Sequence, residues 1–571
     1  MSVRHILRYF LPEAAAERRW ALQFASLAAL VTSIPYLLAW SMQGKAWQFS
    51  GFLFGVEDGN SYIAKMLSGT AGAWLFRTPY TASPQQGVLA FFPYLLLGKL
   101  AAQPAAHEQL VGLFHLLRIA SIFAYVFASY AFISLFIHSS TLRRWAVALI
   151  SFGGGLGWVL VVSGHTSWLG SLPLDLYSPE SFGFLELYGL PHLAFARALL
   201  LFGLTFYLDA EKSSLESKPV RRSLFRPEAG GIRAGIAWLL LGFFQPVTVV
   251  IAWFILFVHL FALGLAFRLG IERKKNSLLT PWLGYIRRAF WAVLLSAPVV
   301  AYTALSFWLD PFLSAWSEQN RIISPHPAHY LLAYGWLVPL IWFGARRLLR
   351  VDLQMGSLVL AWALSLPILA YAPLNLQRRL PEGIWVAFVV LALAGLEEWS
   401  LSHAPQDRRL RRLASGLLFL SFPSSLILLS SGILAALHPG PPAFRPAGEV
   451  DAFRFLSTYA HPGDVTLASY ETGNPLPAWA PVRVLIGLGP ESTDLSSLQP
   501  LVDDFYTAGV KVGSRQDFLR SKNVRFVFWG PLERVPGGWS PENLPYLRPI
   551  YASGEYQIYE VLDGSASALQ P

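Results

Sequence analysis

The feature that most limits the fold is a series of apolar runs, each long enough to cross a bilayer. A transmembrane helix needs about 20 apolar residues, and runs of that order recur between Trp20 and Leu437. Only 14% of the 571 residues are charged, against about 25% in a typical soluble domain. Many of the 21 Trp and 22 Tyr residues lie at the ends of the runs, as in the aromatic belts of membrane interfaces. The sequence therefore predicts a polytopic α-helical membrane protein.

The composition also excludes several kinds of site. The chain has no Cys, which rules out disulfides, thiolate metal sites and Cys nucleophiles. The formal net charge of +10 is explained by topology, because Lys and Arg concentrate in the cytoplasmic loops of membrane proteins. We therefore expect no nucleic acid partner.

The N-terminal segment is predicted to stay attached as the first helix. Its apolar run, from Trp20 to Trp40, is longer than a signal-peptide core, and the Trp-Ser-Met at its end is not a small-residue cleavage site. Four basic residues precede the run: Arg4, Arg8, Arg18 and Arg19. We therefore expect an uncleaved helix with its N-terminus in the cytoplasm.

Basic clusters and basic-poor connections alternate along the rest of the chain. The clusters lie at 143–144, 212–233, 273–288, 346–350 and 408–412. Because Lys and Arg favour the cytoplasmic side, this alternation predicts eleven spans in a bacterial cytoplasmic membrane, with the N-terminus inside and the C-terminus outside. The predicted spans are 20–40, 107–137, 145–163, 191–208, 234–245, 247–269, 289–309, 329–345, 355–373, 383–399 and 413–437.

Two details of this topology are less regular. The apolar stretch from 234 to 269 is too long for one span, and we divide it at Gln245-Pro246 because Pro breaks helices. Residues 87–101 are apolar but short, which predicts an interfacial or re-entrant helix on the outer side. The predicted transmembrane domain, 1–437, thus has a long first outer loop at 41–106.

The composition changes after the last span. A Pro- and Gly-rich linker at 438–446 precedes about 125 residues, 447–571, of ordinary domain size. Four short apolar segments in this region read as buried strands, and three amphipathic segments between or before them read as helices. The predicted strands are 465–469, 482–487, 524–530 and 556–561. The alternation predicts an extracytoplasmic α/β domain.

Two adjacent carboxylates, Glu57 and Asp58, open the first outer loop. Carboxylates are common in solvent-exposed loops, and this is the simplest explanation of the acid pair. However, the pair precedes a short helix whose apolar residues, Tyr62 among them, suit an interface. An aromatic-rich segment, "AWLFRTPYT", then follows. A carboxylate in this place can act as general base toward a hydroxyl or, as an alternative, hold a divalent cation such as Mg²⁺ or Mn²⁺.

The order of these features resembles the GT-C superfamily of membrane glycosyltransferases. The resemblance rests on one helix followed by a long outer loop that opens on an acidic pair, and on the wording "EDGNSYIAKM" and "FFPYLLLGKLA". Protein O-mannosyltransferases and lipid A aminoarabinose transferases belong to this superfamily. Further stretches are similar to a bacterial group of GT-C-like proteins: "GGGLGW", "SPHPAHYLLAYG", "NLQRRLPEG" and "ASYETGNPLPAWAPVRVLIGLGPES".

The resemblance implies an activity and its site. GT-C enzymes move a sugar from a polyprenyl-phosphate carrier to an acceptor on the outer face, with an acid of the first loop as the base. Carried to this chain, the resemblance makes Asp58 the first candidate base and Glu57 the second. The family's usual DE, DxD or ExD pattern is here Glu-Asp-Gly-Asn, which leaves the choice between the two acids and the need for a metal open.

The leaving phosphate of such a reaction needs a cation to stabilise its charge. The segment "NLQRRL" places Gln377, Arg378 and Arg379 in a short outer loop, against the tendency of Arg to stay inside. These residues either bind lipid headgroups or cap a helix, or they hold the carrier phosphate, which suits Arg geometry. Lys65 is a weaker candidate, because an interfacial Lys often snorkels.

Other polar residues of the predicted outer side complete the candidate set. His192 and His326 lie at the outer ends of spans, where a His is usually a hydrogen-bonded structural residue. Glu180 belongs to an acidic outer loop without Lys or Arg and is a candidate second acid. The loop "SYETGNPLPAW" follows a predicted strand of the outer domain, and Glu471, Asn474 and Trp479 in it are candidate sugar contacts.

We therefore predict an inverting membrane glycosyltransferase that uses a polyprenyl-phosphate sugar. The acceptor, a glycan, lipid or protein, is not specified by the sequence. Two alternatives belong to other classes: a non-catalytic GT-C-like membrane scaffold, and a transporter or flippase of lipid-linked sugars. A transporter would need ionisable residues near the middle of the membrane. Only Arg118 and Arg197 stand out in that position.

Overall fold

The computed structural model describes residues 14–208, 227–269, 279–401, 406–507, 512–534 and 538–562. The first two N-terminal Arg residues lie outside these ranges, as do most of the basic cluster at 212–233 and part of the cluster at 273–288. Within the described residues the chain is mostly helical, with one five-stranded and one two-stranded sheet.

Nine helical segments of the described residues are long and apolar enough to cross a membrane. They match nine of the eleven predicted spans, and the protein is a multi-pass membrane protein. Their bounds are Ala15–Met42, Ala106–Ser134, Pro191–Leu208, Pro246–Arg268, Trp282–Leu309, Pro327–Val351, Leu353–Ala370, Gln377–Trp399 and Arg412–Leu437. The first of the nine contains Pro35 and the last Pro423.

The two remaining predicted spans differ in the structure. The predicted span 145–163 is wrong as a single helix, because the glycine run at 153–155 divides it into Ser140–Phe152 and Gly157–Val162. The predicted span 234–245 is a helix, Ala229–Phe244, shorter than the other spans. The division at Gln245-Pro246 is confirmed, since one helix ends at Phe244 and the next begins at Pro246.

The remaining helices are shorter. The α-helices are Val56–Thr70, Phe92–Gly98, Leu174–Tyr177, Phe184–Gly189, Pro311–Gln319, Ala447–Tyr459, Tyr470–Gly473, Leu476–Trp479, Leu495–Tyr506 and Val512–Ser521. Three turns of 3₁₀-helix lie at Gly335–Leu337, Gln377–Arg379 and Gly489–Glu491. The predicted helix at 87–101 corresponds to Phe92–Gly98.

The described chain divides into two compact units. The membrane unit comprises 1–33, 117–303 and 322–431, and the loop unit comprises 34–116, 304–321 and 432–571. The sequence places a boundary at the linker 438–446, whereas the contacts group the first loop with the C-terminal region. The core of the membrane unit is a continuous cluster of buried Ala, Leu, Val and aromatic residues from its helices.

Glycine permits the close packing that shapes the membrane unit near its helix break. A Cβ on Gly155 would lie 2.7 Å from the Cα of Ala333, and one on Gly153 would lie 2.4 Å from the carbonyl oxygen of Leu149. The amide of Gly154 donates to the carbonyl of Ser421 at 2.8 Å. The run thus ends a helix by letting backbones approach each other.

The C-terminal part of the loop unit is a mixed α/β fold built on a five-stranded sheet. Its strands are β3 (Val465–Leu467), β4 (Arg483–Val484), β5 (Val524–Trp529), β6 (Leu547–Ser553) and β7 (Tyr556–Val561). Their order is β4-β3-β5-β7-β6, with the first three parallel and the last two joined antiparallel. The four predicted strands are present, and β6 is an edge strand that the sequence analysis missed.

The first loop packs with this C-terminal part inside the loop unit. Strand β1 (Trp47–Phe49) pairs antiparallel with β2 (Phe444–Pro446). The helix Val56–Thr70 packs against Phe92–Gly98 through glycines, since a Cβ on Gly98 would lie 1.8 Å from the carbonyl oxygen of Met66. The same unit contains a cluster of buried hydrophobic residues that includes Phe76, Leu95, Phe312 and Leu313.

Candidate functional site

The acid pair lies in the first turn of the helix Val56–Thr70. The helix begins after Gly55, which has a left-handed φ of 57° that glycine adopts without strain. No side chain caps this end. Glu57 and Asp58 are both exposed, and neighbouring residues of an α-helix point about 100° apart around its axis. The two carboxylates therefore face different surroundings.

Glu57 lines a cavity of about 420 Å³ inside the loop unit. The other polar residues in the lining come from the C-terminal part and from the helix itself: Asn60, Arg445, Glu449, Tyr470, Glu471, Thr472, Asn474, Glu533 and Tyr556. Four carboxylates and one guanidinium face this space, a formal charge of −3. Asp58 does not line the cavity.

The carboxylates that line this cavity differ in their hydrogen-bond partners within the protein. Arg445 donates to both carboxylate oxygens of Glu449, with its Nε 2.7 Å from Oε2. Glu533 accepts from Ser469 Oγ at 2.7 Å and from the amide of Gly530 at 3.1 Å. Glu57 and Glu471 remain exposed to the cavity, which leaves them available to a ligand.

The electrostatics of the cavity favour protonation of Glu57. Although Glu57 is exposed to the cavity, partial desolvation by the surrounding protein raises its pKa, and the negative charges of Asp58 and Glu471 raise it further. Burial together with the charge of Asp58 likewise raises the pKa of Tyr94 well above its usual range. A carboxylate whose pKa is raised is a stronger base toward a hydroxyl proton.

A buried amide pair fixes the cavity wall beside Glu57. Asn60 Nδ2 donates to Asn474 Oδ1 at 2.8 Å, and Asn474 Nδ2 donates to the carbonyl of Gly487 at 2.9 Å. Asn474 Nδ2 also lies 3.4 Å from the carbonyl of Glu57. The hydroxyl of Tyr80 donates to the carbonyl of Asn474 at 3.0 Å. These bonds tie the predicted sugar-contact loop to the acid-pair helix.

Two predicted substrate contacts of the first loop are engaged within the protein. Lys65 is buried, and its Nζ lies 2.7 Å from Glu491 Oε1 and 4.3 Å from the ring centre of Phe91. Tyr62 stacks on Tyr94 at 4.8 Å between ring centres. Trp479 also packs internally, stacked 3.4 Å from the His107 ring. The sequence carries no local signal for Glu491 as the partner of Lys65.

The membrane unit brings another group of predicted residues together. Arg379 Nε lies 3.4 Å from Glu180 Oε1, and the Arg378 guanidinium lies 4.5 Å from the ring centre of Tyr177. Gln377 Oε1 accepts from the amide of Ser324 at 3.3 Å. The Nε atom of Arg378 is buried without a hydrogen-bond partner among the described residues, whereas the Nε atom of Arg379 faces the Glu180 carboxylate. Arg379 is therefore partly neutralised by Glu180, whereas Arg378 forms no ion pair with the described residues.

Arg197 supports this loop, a role that the sequence analysis did not assign. It is fully buried, donates through Nε to Glu382 Oε1 at 2.7 Å, and pairs with Glu186 at 2.7 Å. Its Nη2 also donates to the carbonyl of Glu180 at 3.0 Å. Arg197 thus joins the segment that carries Glu180 to the segment that follows Arg379.

The two predicted histidines lie at the starts of different helices. His326 caps the helix that begins at Pro327, with its Nδ1 accepting from the amide of Ala328 at 3.2 Å. His192 is half-buried near the start of the helix at Pro191. The capping contact explains His326 without a ligand.

The donor set at the acid pair does not match a protein-built metal site. No group of three or more His, Asp or Glu side chains in the described residues is arranged to hold a metal ion. Glu57 and Asp58 diverge around the helix, so they do not form a bidentate pair. We therefore derive no step through a metal ion.

Solved structures with a similar fold cover most of this chain. The Archaeoglobus fulgidus oligosaccharyltransferase tethered to an acceptor peptide aligns at a TM-score of 0.51 and 15% identity, over 90% of this chain and 69% of that one. Archaeal AglB with an inhibitory peptide and a dolichol-phosphate aligns at 0.50 and 14%, over 90% and 70%. ArnT from Cupriavidus metallidurans bound to undecaprenyl phosphate aligns at 0.45 and 14%, over 98% and 100%.

These similarities define a class. The chain is a multi-pass membrane protein whose structure is similar, over most of its length, to GT-C membrane glycosyltransferases. At this level of identity the likeness shows the fold alone. No protein-family model and no curated protein matches the sequence.

Proposed function

We propose that the protein is an inverting glycosyltransferase that moves a sugar from a polyprenyl-phosphate carrier to an acceptor hydroxyl on the outer face of a bacterial cytoplasmic membrane. The observation that carries the proposal is the acid pair, whose Glu57 lines a cavity with Tyr470, Glu471 and Asn474. The fold shared with the oligosaccharyltransferase supports it, as does the dolichol-phosphate that archaeal AglB binds.

The reaction is a single displacement. A carboxylate of the pair takes the proton of the acceptor hydroxyl as the acceptor oxygen bonds to C1 of the sugar. The bond between C1 and the phosphate oxygen breaks, and polyprenyl phosphate leaves with the electron pair. The departing phosphate needs a cation to stabilise its charge, and Arg378 and Arg379 are the residues proposed to bind the carrier phosphate.

Different observations support Asp58 and Glu57 as the general base. Asp58 is the first choice from the family resemblance. Glu57 lines the cavity and has the raised pKa, which makes its carboxylate the stronger base toward a hydroxyl proton. In the proposal one of them is the base, and the other sets its electrostatic environment.

The test uses the purified full chain in nanodiscs with a panel of radiolabelled polyprenyl-phosphate sugars. We expect sugar transfer or release by the wild type. A base removed by Asp58→Asn or Glu57→Gln costs about 100-fold or more in rate, and the variant with the larger loss identifies it. Glu542→Gln, an exposed carboxylate of the loop unit outside the cavity, is the matched control. Added EDTA tests separately for a Mg²⁺ or Mn²⁺ requirement.

Two results would count against the proposal. Turnover that survives both substitutions would place the base elsewhere, with Glu180 the next acid to replace. Absence of both turnover and carrier binding would favour the scaffold alternative. Arg378→Gln with Arg379→Gln should weaken carrier binding, while Arg321→Gln, an exposed Arg of the loop unit, should not.

Transport of lipid-linked sugars is the second candidate function. The observation in its favour is the fully buried Arg197 with its partners Glu186 and Glu382, since buried charges within membrane segments often mark transport pathways. Movement of a labelled lipid-linked sugar between leaflets of a proteoliposome by the wild type, kept in Glu57→Gln, would support transport over transfer.

A further inference from the structure

A second cavity of the loop unit differs in charge from the cavity at Glu57. It encloses about 360 Å³ between the last turns of the helix Val56–Thr70, the segment 73–79, and C-terminal residues around 462 and 477–483. The charged side chains in its described lining are Arg77 and Arg483, and that lining contains no carboxylate. The cavity therefore has two positive charges without a local counter-charge.

Two acids that lie beside these arginines in the structure are already engaged by other cations. Asp464, whose carbonyl accepts the amide of Arg483, pairs through its carboxylate with Arg525 at 2.8 Å. Glu491 pairs with Lys65 at 2.7 Å and accepts from Thr78. Neither acid neutralises the guanidiniums of the cavity.

Both guanidiniums also have N–H groups that are not hydrogen-bonded to the described residues. Arg483 donates through Nε to the carbonyl of Gly463 at 3.0 Å, and no other bond of its guanidinium to the described residues is seen. Arg77 is exposed and forms no ion pair within the described chain. Burial lowers the pKa of Arg483, as expected of a desolvated cation without a counterion.

The neutral polar side chains that line the cavity are already hydrogen-bonded within the protein. Gln85 exchanges two bonds with the backbone of Thr78, at 2.8 and 2.7 Å. Ser68 Oγ donates to the carbonyl of Ala64 at 3.0 Å. A neutral sugar would therefore find few partners here, whereas an anion would find two forks of N–H donors.

The walls of the cavity suit a pre-formed site. Pro79, Pro462, Pro477 and Pro481 lie in the lining, and the fixed φ of proline reduces the ordering cost that binding must overcome. Backbone pairing between the amide of Val484 and the carbonyl of Pro79, at 2.8 Å, holds the two arginine-bearing segments together.

We infer that this cavity binds a phosphate group, held between Arg77 and Arg483. A phosphate offers the charge and the several oxygen acceptors that two guanidiniums require, and the volume leaves room for a glycerol or sugar attached to it. The phosphate belongs either to an anionic lipid headgroup or to a water-soluble phosphorylated sugar. Arg378 and Arg379 do not line this cavity, and the inference does not rest on the proposed function.

The test has two arms, both with the full chain in nanodiscs. In the first, equilibrium dialysis measures labelled glucose 1-phosphate in phosphatidylcholine discs. In the second, native mass spectrometry counts the phosphatidylglycerol molecules retained from mixed discs. The variants are Arg77→Gln and Arg483→Gln, with the conservative Arg483→Lys and, as matched control, the exposed Arg520→Gln.

We expect one of the two ligands to bind the wild type and the Arg520→Gln control equally. Each cavity Arg→Gln change should weaken that binding about tenfold, equal to about 1.4 kcal/mol, with Arg483→Lys intermediate. Loss confined to glucose 1-phosphate assigns a soluble phosphate, and loss confined to phosphatidylglycerol assigns a lipid. Unchanged binding in Arg77→Gln and Arg483→Gln, or no binding in either arm, would overturn the inference.

Discussion

Glu491→Gln should destabilise the loop unit strongly, because it removes the counter-charge of a buried lysine. Lys65 Nζ lies 2.7 Å from Glu491 Oε1, and the two side chains are 1% and 5% exposed. Two unit charges at that distance of 2.7 Å attract with about 6 kcal/mol at an effective dielectric constant of about 20. In the native protein this attraction offsets the cost of removing both charges from water.

The variant keeps the desolvated ammonium and loses the attraction. We therefore expect the free energy of unfolding of the loop unit to fall by about 3–5 kcal/mol. Urea-dependent pulse proteolysis of the purified protein in detergent, followed through the C-terminal fragment, measures this change. Replacing both members with apolar side chains, Lys65→Met with Glu491→Leu, should recover most of the loss, because no buried charge then remains alone.

An exposed ion pair of the same unit supplies the control. Arg454 and Glu108 lie 2.9 Å apart but are 45% and 47% exposed, so Glu108→Gln should cost only about 0–1 kcal/mol. If Glu491→Gln costs no more than this control, the electrostatic reasoning for the buried pair is refuted.

Three further predictions concern glycine packing, pH and a buried charge cluster. Gly98→Ala should destabilise the loop unit, since its Cβ would lie 1.8 Å from the carbonyl of Met66, whereas Gly112→Ala, with nothing within 4 Å, should be neutral or stabilising in the same proteolysis assay. Because the pKa of Glu57 is raised from 4.5 on folding, its stabilising contribution is full at low pH and lost as pH rises through the raised value. Glu57→Gln should therefore increase the free energy of unfolding near pH 7 and leave it unchanged near pH 4. Arg197→Met leaves Glu186 and Glu382 buried without their cation, and should lower the thermal stability of the membrane unit through a loss of about 3–5 kcal/mol.

The features predicted well from the sequence have local causes. Span-length apolar runs predict nine of the helices, and the break at Gln245-Pro246 follows from the missing amide of proline. The strands at 465, 483, 524 and 556 are short apolar segments bounded by turn residues. The edge strand Leu547–Ser553 contains a proline and alternates poorly, which is tolerated only at a sheet edge and hides the strand from pattern analysis.

The features that the sequence analysis missed depend on distant contacts. Lys65 and Glu491 are 426 residues apart, and Asn60 and Asn474 are 414 apart, so no periodicity links them. The predicted span 145–163 failed because its glycines allow backbones to meet at 153–155, which hydropathy does not register. The acid pair can be read from the sequence and stays a predicted site, but its cavity also needs the C-terminal residues that complete the lining.

The first-turn position of Glu57 and Asp58 invites a structural explanation that the electrostatics of Glu57 do not support. Acidic residues in a first helical turn are stabilised by the helix dipole, and a carboxylate placed there for stability would have a lowered pKa. Burial, Asp58 and Glu471 instead raise the pKa of Glu57, so the protein holds this carboxylate in an unfavourable environment. Such a cost is typical of functional sites. The stabilising effect expected of Glu57→Gln and the rate loss expected of the same substitution are therefore two consequences of one arrangement.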